Sequence, residues 1–233
     1  MKRETDEEKP SGFLLVRKPT DWTSHDVVGF LRGVTKIKKI GHAGTLDPFA
    51  EGLLIVAVGR DSTKRIDEFK NLDKTYITKI KLGVETDTYD KTGKITNKIT
   101  PKEKPTKKEV EKVLKSFLGE QSQLPPMYSA KKIQGKKLYE LAREGIKVER
   151  KTHEITIKKI VLQKYKYPFL TIEVNCTTGT YIRTLVFDIG KKLKTGAYCE
   201  KLKRTSIGTF SLKNAKKVKK FNRKNWTKNL FYL

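Results

Sequence analysis

The apolar positions of this chain fall into short runs whose period switches between strand and helix. Gly12 to Arg17 is a compact apolar run that predicts a buried strand, and Thr23 with Asp26 forms a capping-box pattern ahead of Val27, Val28 and Leu31 at helical spacing. Gly52 to Val58 predicts a second buried strand. Lys74 to Leu82 alternates, with Tyr76, Thr78, Ile80 and Leu82 on one face, and reads as a half-exposed strand. Thr106 and Glu109 cap a helix whose Val110, Val113, Leu114 and Phe117 share a stripe, ended by Gly119. From Gln121 to Arg150 the pattern lapses into Pro125-Pro126, a Lys-rich stretch and a short helix around Leu138 to Arg143, which predicts an inserted lobe. Strands dominate from His153 to Cys176, a helix follows from Tyr181 to Leu193, and a last strand spans about Tyr198 to Phe210. Strands interleaved with helices, without regular βαβ spacing, predict an α+β fold with a mixed sheet rather than a doubly wound one. The expected organisation is a disordered charged tail over 1–10, one domain over 11–212 with its insert at about 121–150, and a short Lys-rich tail over 213–233.

Charge narrows the class of partner. The 233 residues carry 52 Lys and Arg against 26 Asp and Glu, a formal net charge of +26. Even if every acid were paired, a strong positive field would remain, which favours a polyanion: nucleic acid, or an anionic membrane surface. The longest apolar run, Leu53 to Val58, falls far short of the ~20 residues that span a bilayer, so no membrane is expected. Met1 to Pro10 lacks the apolar segment of a signal peptide. Cys176 and Cys199 are the only cysteines, and no Cys/His cluster has zinc-ligand spacing. That pattern predicts a cytoplasmic protein without a structural metal.

One loop stands out against this basic background. Gly41-His42-Ala43-Gly44-Thr45-Leu46-Asp47-Pro48 sets a lone carboxylate among glycines just before the apolar strand. Taken alone, Asp47 before a proline reads as a turn residue. The segment lacks the Gly-Lys-Ser/Thr ending of a phosphate-binding P-loop, and His42 has no neighbour at a metal-ligand interval. Arg183 reads equally as a surface or phosphate-binding arginine. Tyr76 suits either the core or a ring on an exposed strand face.

The loop closely resembles the catalytic motif of the TruB-type tRNA pseudouridine synthases, and the likeness extends over nearly the whole chain. Lys18-Pro19 with Trp22-Thr23-Ser24-His25-Asp26-Val27-Val28 is similar to the family's opening motif, and Asp73-Lys74-Thr75-Tyr76 to its second active-site strand. Leu82-Gly83, Thr86-Asp87-Thr88 and Asp90 to Gly93 follow. Pro125 to Lys132 with Gly135-Lys136, Leu138-Tyr139 and Ala142-Arg143 resembles an RNA-clamping insert. Thr178 to Arg183 and Leu202 to Thr205 complete the set.

The resemblance implies the pseudouridine synthase fold, a central mixed, mostly antiparallel sheet flanked by helices. It implies detachment of a uridine from its sugar at N1 and rejoining through C5, with no cofactor and no metal. By this correspondence Asp47 is the catalytic carboxylate, Arg183 orients it, and Tyr76 supports the reaction and lies against the target base. His42 takes the place of the extruded uridine in the loop, while Tyr181 and Leu202 line the pocket around the uracil. Lys131, Lys132, Lys136, Lys137 and Arg143 are the RNA-backbone candidates. The implied substrate is the T-arm of tRNA at position 55, flipped out of its stack. Whether Asp47 attacks C1′, attacks C6 or removes a sugar proton stays open. The implied enzyme is a monomer with no obligate protein partner, apparently without a C-terminal PUA domain, so that RNA affinity rests more on the catalytic domain and the Lys-rich tail. Two rivals remain: the guide-RNA-dependent branch of the superfamily, and a non-catalytic RNA-binding protein on the same scaffold.

Overall fold

The computed structural model of the chain describes residues 10–129, 132–133, 135–146 and 148–233. Residues 1–9 of the expected tail and Lys131 of the expected clamp lie outside the described residues. In chain order the elements are β1 (Gly12–Lys18), α1 (Ser24–Thr35), β2 (Ile40–His42), β3 (Glu51–Val58), α2 (Arg60–Lys64), α3 (Asp67–Lys70), β4 (Lys74–Leu82), β5 (Val84–Thr86) and β6 (Ile95–Lys98). There follow α4 (Lys107–Lys115), β7 (Gly119–Gln123), β8 (Lys132–Ile133), β9 (Lys136–Lys137), α5 (Leu138–Arg143), β10 (His153–Lys166), β11 (Phe169–Cys176), α6 (Ile182–Lys192), β12 (Ala197–Ile207), β13 (Phe210–Ser211) and β14 (Lys216–Lys217). No helix among the described residues is long and apolar enough to cross a membrane. The chain forms two compact units, residues up to Tyr76 with Lys203–Leu233, and Ile77–Leu202. The expected insert at about 121–150 lies inside the second.

In the first unit, β3 is the central strand. It runs antiparallel to β1 from Gly12↔Val58 to Lys18↔Gly52, and parallel to β12 at Lys203↔Glu51 and Arg204↔Gly52. Strand β2 also pairs antiparallel with β3, and β14 lies parallel on β1. Alternate β3 residues feed two cores. Leu54, Val56 and Val58 join Leu14 and Val16 of β1 against Val27, Val28 and Leu31 of α1. Leu53, Ile55 and Ala57 join Phe13, Phe69 and Ile207 in the other. A strand covered on both faces has no solvent side, which is why its sequence is an unbroken apolar run. Each such buried side chain contributes roughly 1.5–3 kcal/mol. The capping box at α1 forms as predicted, with Thr23 Oγ1 accepting from Asp26 N and Asp26 Oδ2 from Thr23 N.

The Lys-rich C-terminal segment is part of this unit. Its Val218, Phe221 and Trp226 are buried in the α1 core, and Phe231 packs on Phe13 with ring centroids 5.6 Å apart. The last predicted strand is interrupted. β12 ends at Ile207, Gly208 turns at φ +53, and β13 folds back with Ile207↔Phe210 in register. A two-residue hairpin turn of this hand needs a positive φ, which glycine supplies without strain.

In the second unit the strand order is β4–β11–β10–β7, with β10 antiparallel to both β11 and β7. The sheet is thus mixed in the first unit and largely antiparallel in the second, flanked by α1, α4 and α6, as expected for an α+β chain. Strands β5 and β6 form a hairpin that the apolar pattern did not reveal, because Ile95–Lys98 is exposed throughout. Helix α4 stops at Lys115, and Gly119, at φ +90, opens β7.

Candidate active site

The Asp47 loop connects β2 to β3, and its backbone is held at several points. Ala43 N donates to Ile55 O at 2.9 Å, extending the β2–β3 pairing. Ser24, the first residue of α1, receives Leu46 N on its Oγ at 2.9 Å and donates to Leu46 O at 3.3 Å. Ala50 N donates to Asp47 O at 3.1 Å, closing a turn with Pro48 at its second position, the place where proline's fixed φ fits. Asp21 N donates to Pro48 O at 2.8 Å. Ala43, Leu46, Phe49 and Ala50 are buried, so the loop is a packed part of the unit. A carboxylate on such a frame is pre-aimed, which is what nucleophilic or proton-transfer work requires.

Two buried cations flank it, and neither was a predicted site residue. Lys18, fully buried at the end of β1, donates its three ammonium protons to the carbonyls of Pro19, Trp22 and Pro48. Arg204 on β12, 1 % exposed, donates from Nε to Leu53 O at 2.8 Å and from Nη2 to Gly44 O at 3.1 Å, tying the two arms of the loop together. The sequence signal for Lys18 was its place beside Pro19 in the opening motif, at the end of the first apolar run. Arg204 lies in the Leu202 to Thr205 motif, but its burial had no sequence signal, because it depends on a parallel neighbour far away in sequence.

Burial pushes the Lys18 ammonium down from 10.5 to about 8, against the attraction of Asp47 and Asp21. Burial, reinforced by the Arg204 charge, pushes His42 down from 6.5 to about 4, so His42 is neutral at neutral pH. Both folded values lie below the unfolded ones. The unfolded chain therefore binds the extra proton in each window, and stability rises with pH from about 4 to 6.5 through His42 and from about 8 to 10.5 through Lys18. A side-chain NMR titration is expected to place the Lys18 midpoint near 8 and the His42 midpoint near 4. Midpoints at 10.5 and 6.5 would contradict the burial of both groups.

In the second unit Arg183 lies in the first turn of α6 and is buried. Its Nη1 donates to Thr88 O at 2.9 Å, its Nη2 to Tyr128 O at 2.8 Å, and its Nε lies 3.7 Å from Asp90 Oδ2. Asp90 is itself fixed by the Thr88 hydroxyl at 2.9 Å and by the amide of Thr92 at 2.9 Å. Tyr181 caps α6. Gln123 brackets its backbone, receiving Tyr181 N at 2.7 Å and donating to Tyr181 O at 3.1 Å. The His153 ring stands edge-on to Tyr181, with centroids 6.0 Å apart.

The predicted residues are thus distributed as follows. His42 and Asp47 share one loop of the first unit, which also holds Tyr76 near the start of β4. Tyr181 and Arg183 open α6 of the second, whose residue Leu202 lies on β12 and is buried. The face of β4 that carries Tyr76 is not an exposed one. Lys74, Tyr76, Thr78, Ile80 and Leu82 are all buried, and the partly exposed face holds Thr75, Ile77, Lys79 and Lys81. Lys132 falls in β8, Lys136 and Lys137 in β9, and Arg143 ends α5. Among the described residues no group of three His, Cys, Asp or Glu is placed to hold a metal ion.

Residues 32–182 match the TruB family pseudouridylate synthase (N terminal domain). The chain is 46% identical over 215 residues to the tRNA pseudouridine synthase B of Clostridium tetani (strain Massachusetts / E88), covering 92% of this chain and 74% of that one. It is 47% identical over 203 residues to the enzyme of the same name from Protochlamydia amoebophila (strain UWE25), covering 87% and 76%. Among solved structures it is similar to a chain of a Cbf5-Nop10-Gar1 complex, with a TM-score of 0.70 and 26% identity over 91% of this chain. The chain spans 55% of that protein's length. The match over most of the chain, and over most of its relatives, places it: the chain belongs to the TruB family of pseudouridylate synthases.

Proposed function

We infer that this chain is a tRNA pseudouridine synthase, and we propose that it isomerises the T-loop uridine at tRNA position 55. The observation that carries the reading is Asp47 on its braced loop between Lys18 and Arg204, in a chain 46% identical to a tRNA pseudouridine synthase B. In the proposed reaction the C1′–N1 bond breaks, a C1′–C5 bond forms, the C5 proton is lost and N1 gains a proton, so the product is an isomer and needs no redox partner. A uridine paired or stacked in RNA must first be extruded, at a cost of about a few kcal/mol. Neutral His42 offers a flat, uncharged ring to the RNA beside the carboxylate. Tyr76, Tyr181 and Leu202 are assigned to the extruded base, and Arg183 to support of Asp47. Lys131, Lys132, Lys136, Lys137 and Arg143 are assigned to phosphates, which position RNA without reading its sequence. We place the enzyme in the cytoplasm as a monomer; a chain with only two cysteines, both buried, suits a reducing compartment.

The similarity to a chain of a Cbf5-Nop10-Gar1 complex favours one second reading, an enzyme that works only within an assembly. One experiment separates the two. The purified chain is incubated with an unmodified tRNA transcript, without other protein or RNA, and pseudouridine is mapped. Modification confined to position 55 is the expected result. No modification until further components are added would favour the second reading, and modification elsewhere would refute the assigned position.

A further inference from the structure

Eight basic residues, Lys213, Lys216, Lys217, Lys219, Lys220, Arg223, Lys224 and Lys228, crowd the last part of the chain, and no Asp or Glu follows Glu200. Other basic stretches of the chain have acids close by. On α4, for example, Lys107 pairs with Glu111 and Glu109 completes the cap. The C-terminal run has no such acids, so its charges repel one another unless a polyanion or salt neutralises them.

Three observations make this run a built surface. Val218, Phe221 and Trp226 are buried against Val27, Val28 and Leu31 of α1, so the backbone between them is anchored. A chain of asparagines fixes the rest: Asn222 Oδ1 accepts from Lys224 N at 3.0 Å, Asn225 Oδ1 from Asn222 N at 3.0 Å, and Asn225 Nδ2 donates to Lys220 O at 3.0 Å. Val218, Phe221 and Trp226 therefore face the core while Lys217, Lys219, Lys220, Arg223, Lys224 and Lys228 are exposed. The surface also adjoins the reaction loop. Lys219 Nζ lies 5.8 Å from the Trp22 ring centre, Trp22 O accepts from Lys18, and the preceding residue, Asp21, donates its amide to Pro48 O. Asp26, at the start of α1, is engaged in capping that helix.

We propose that this C-terminal ribbon is a second phosphate-binding surface, one that grips the RNA backbone beside the Asp47 loop without reading sequence. The proposal rests on the reading of the chain as an RNA-modifying enzyme. RNA is favoured over a membrane because interfacial binding inserts apolar side chains, and those set among the basic residues, Val218, Phe221 and Trp226, are buried in the core.

The test is the variant Lys219→Gln, Lys220→Gln, Arg223→Gln, Lys224→Gln in the full chain. Its affinity for an unmodified tRNA transcript is measured over a range of salt concentrations, together with the single-turnover rate at saturating tRNA. Losing up to four phosphate contacts is expected to flatten the plot of log affinity against log salt by about 3 and to weaken binding by about 10–100-fold at low salt. The rate at saturation should stay within about twofold of wild type, because none of the four residues belongs to the site. An unchanged slope overturns the proposal, as does capture of wild type but not of the variant by phosphatidylserine vesicles with tRNA binding unaltered. Failure of the wild-type chain to form pseudouridine would refute the functional reading, while the binding comparison would still decide the ribbon.

Discussion

Replacing Asp47 with asparagine is expected to reduce pseudouridine formation by at least about 10²–10⁴-fold while leaving tRNA affinity within about twofold of wild type. The side chains are nearly isosteric, and the loop is held in several places by its backbone. Leu46 is held by Ser24, Asp47 O by Ala50, and Pro48 O by Asp21 and Lys18. The variant therefore keeps the turn and loses the charge, and with it the ability to attack carbon or to take a proton. A second readout comes with the first. Asp47 raises the Lys18 pKa, so in the variant the Lys18 midpoint should fall below about 8. Persistent turnover by the variant would remove Asp47 from the chemistry. Lost activity with an unmoved Lys18 midpoint would mean that the two groups are not electrostatic neighbours.

The largest effect on stability is expected at Gly52. Its φ is +127, and a Cβ there would lie 2.3 Å from Arg204 O and 2.6 Å from Arg204 N. Both are backbone atoms of the strand paired in parallel with β3, so no side chain can swing aside to relieve the overlap. Relief requires β3 and β12 to separate, which would also withdraw the Arg204 side chain from Leu53 O and Gly44 O and loosen the loop that carries Asp47. Gly52→Ala is accordingly expected to cost more than about 4 kcal/mol in urea unfolding. The control is Gly29→Ala on the exposed side of α1, where an added Cβ meets nothing within 4 Å. Alanine there should stabilise by about 0.5–1 kcal/mol, because it restricts the unfolded chain and favours the helix. Equal denaturation midpoints for the two variants would show that β3 and β12 do not approach as closely as their register requires.

What the chain determines locally was legible in it. The caps of α1 and α4 were visible because a capping box is a contact between residues three apart, needing nothing from the rest of the fold. β3 was visible because a strand covered on both faces must be apolar at every position. Asp47 could be singled out because its loop is an unusual string of residue types in a basic chain, and its family resemblance is carried by the same residues.

The features that resisted a linear reading all depend on partners distant in sequence. The burial of Arg204 follows from its register with Gly52, and that of Tyr76 from which face of β4 turns inward; alternation alone leaves either face possible. The Lys-rich C-terminus read as a short tail because Val218, Phe221 and Trp226 are too widely spaced to make a period; their shared contact with α1 makes the run a fixed surface. The sequence by itself thus determined most of the elements, the candidate carboxylate and the strong positive charge of the chain. The tertiary structure decided which cations are buried beside that carboxylate and which are held out toward solvent, because burial and its effect on charge are set by long-range packing.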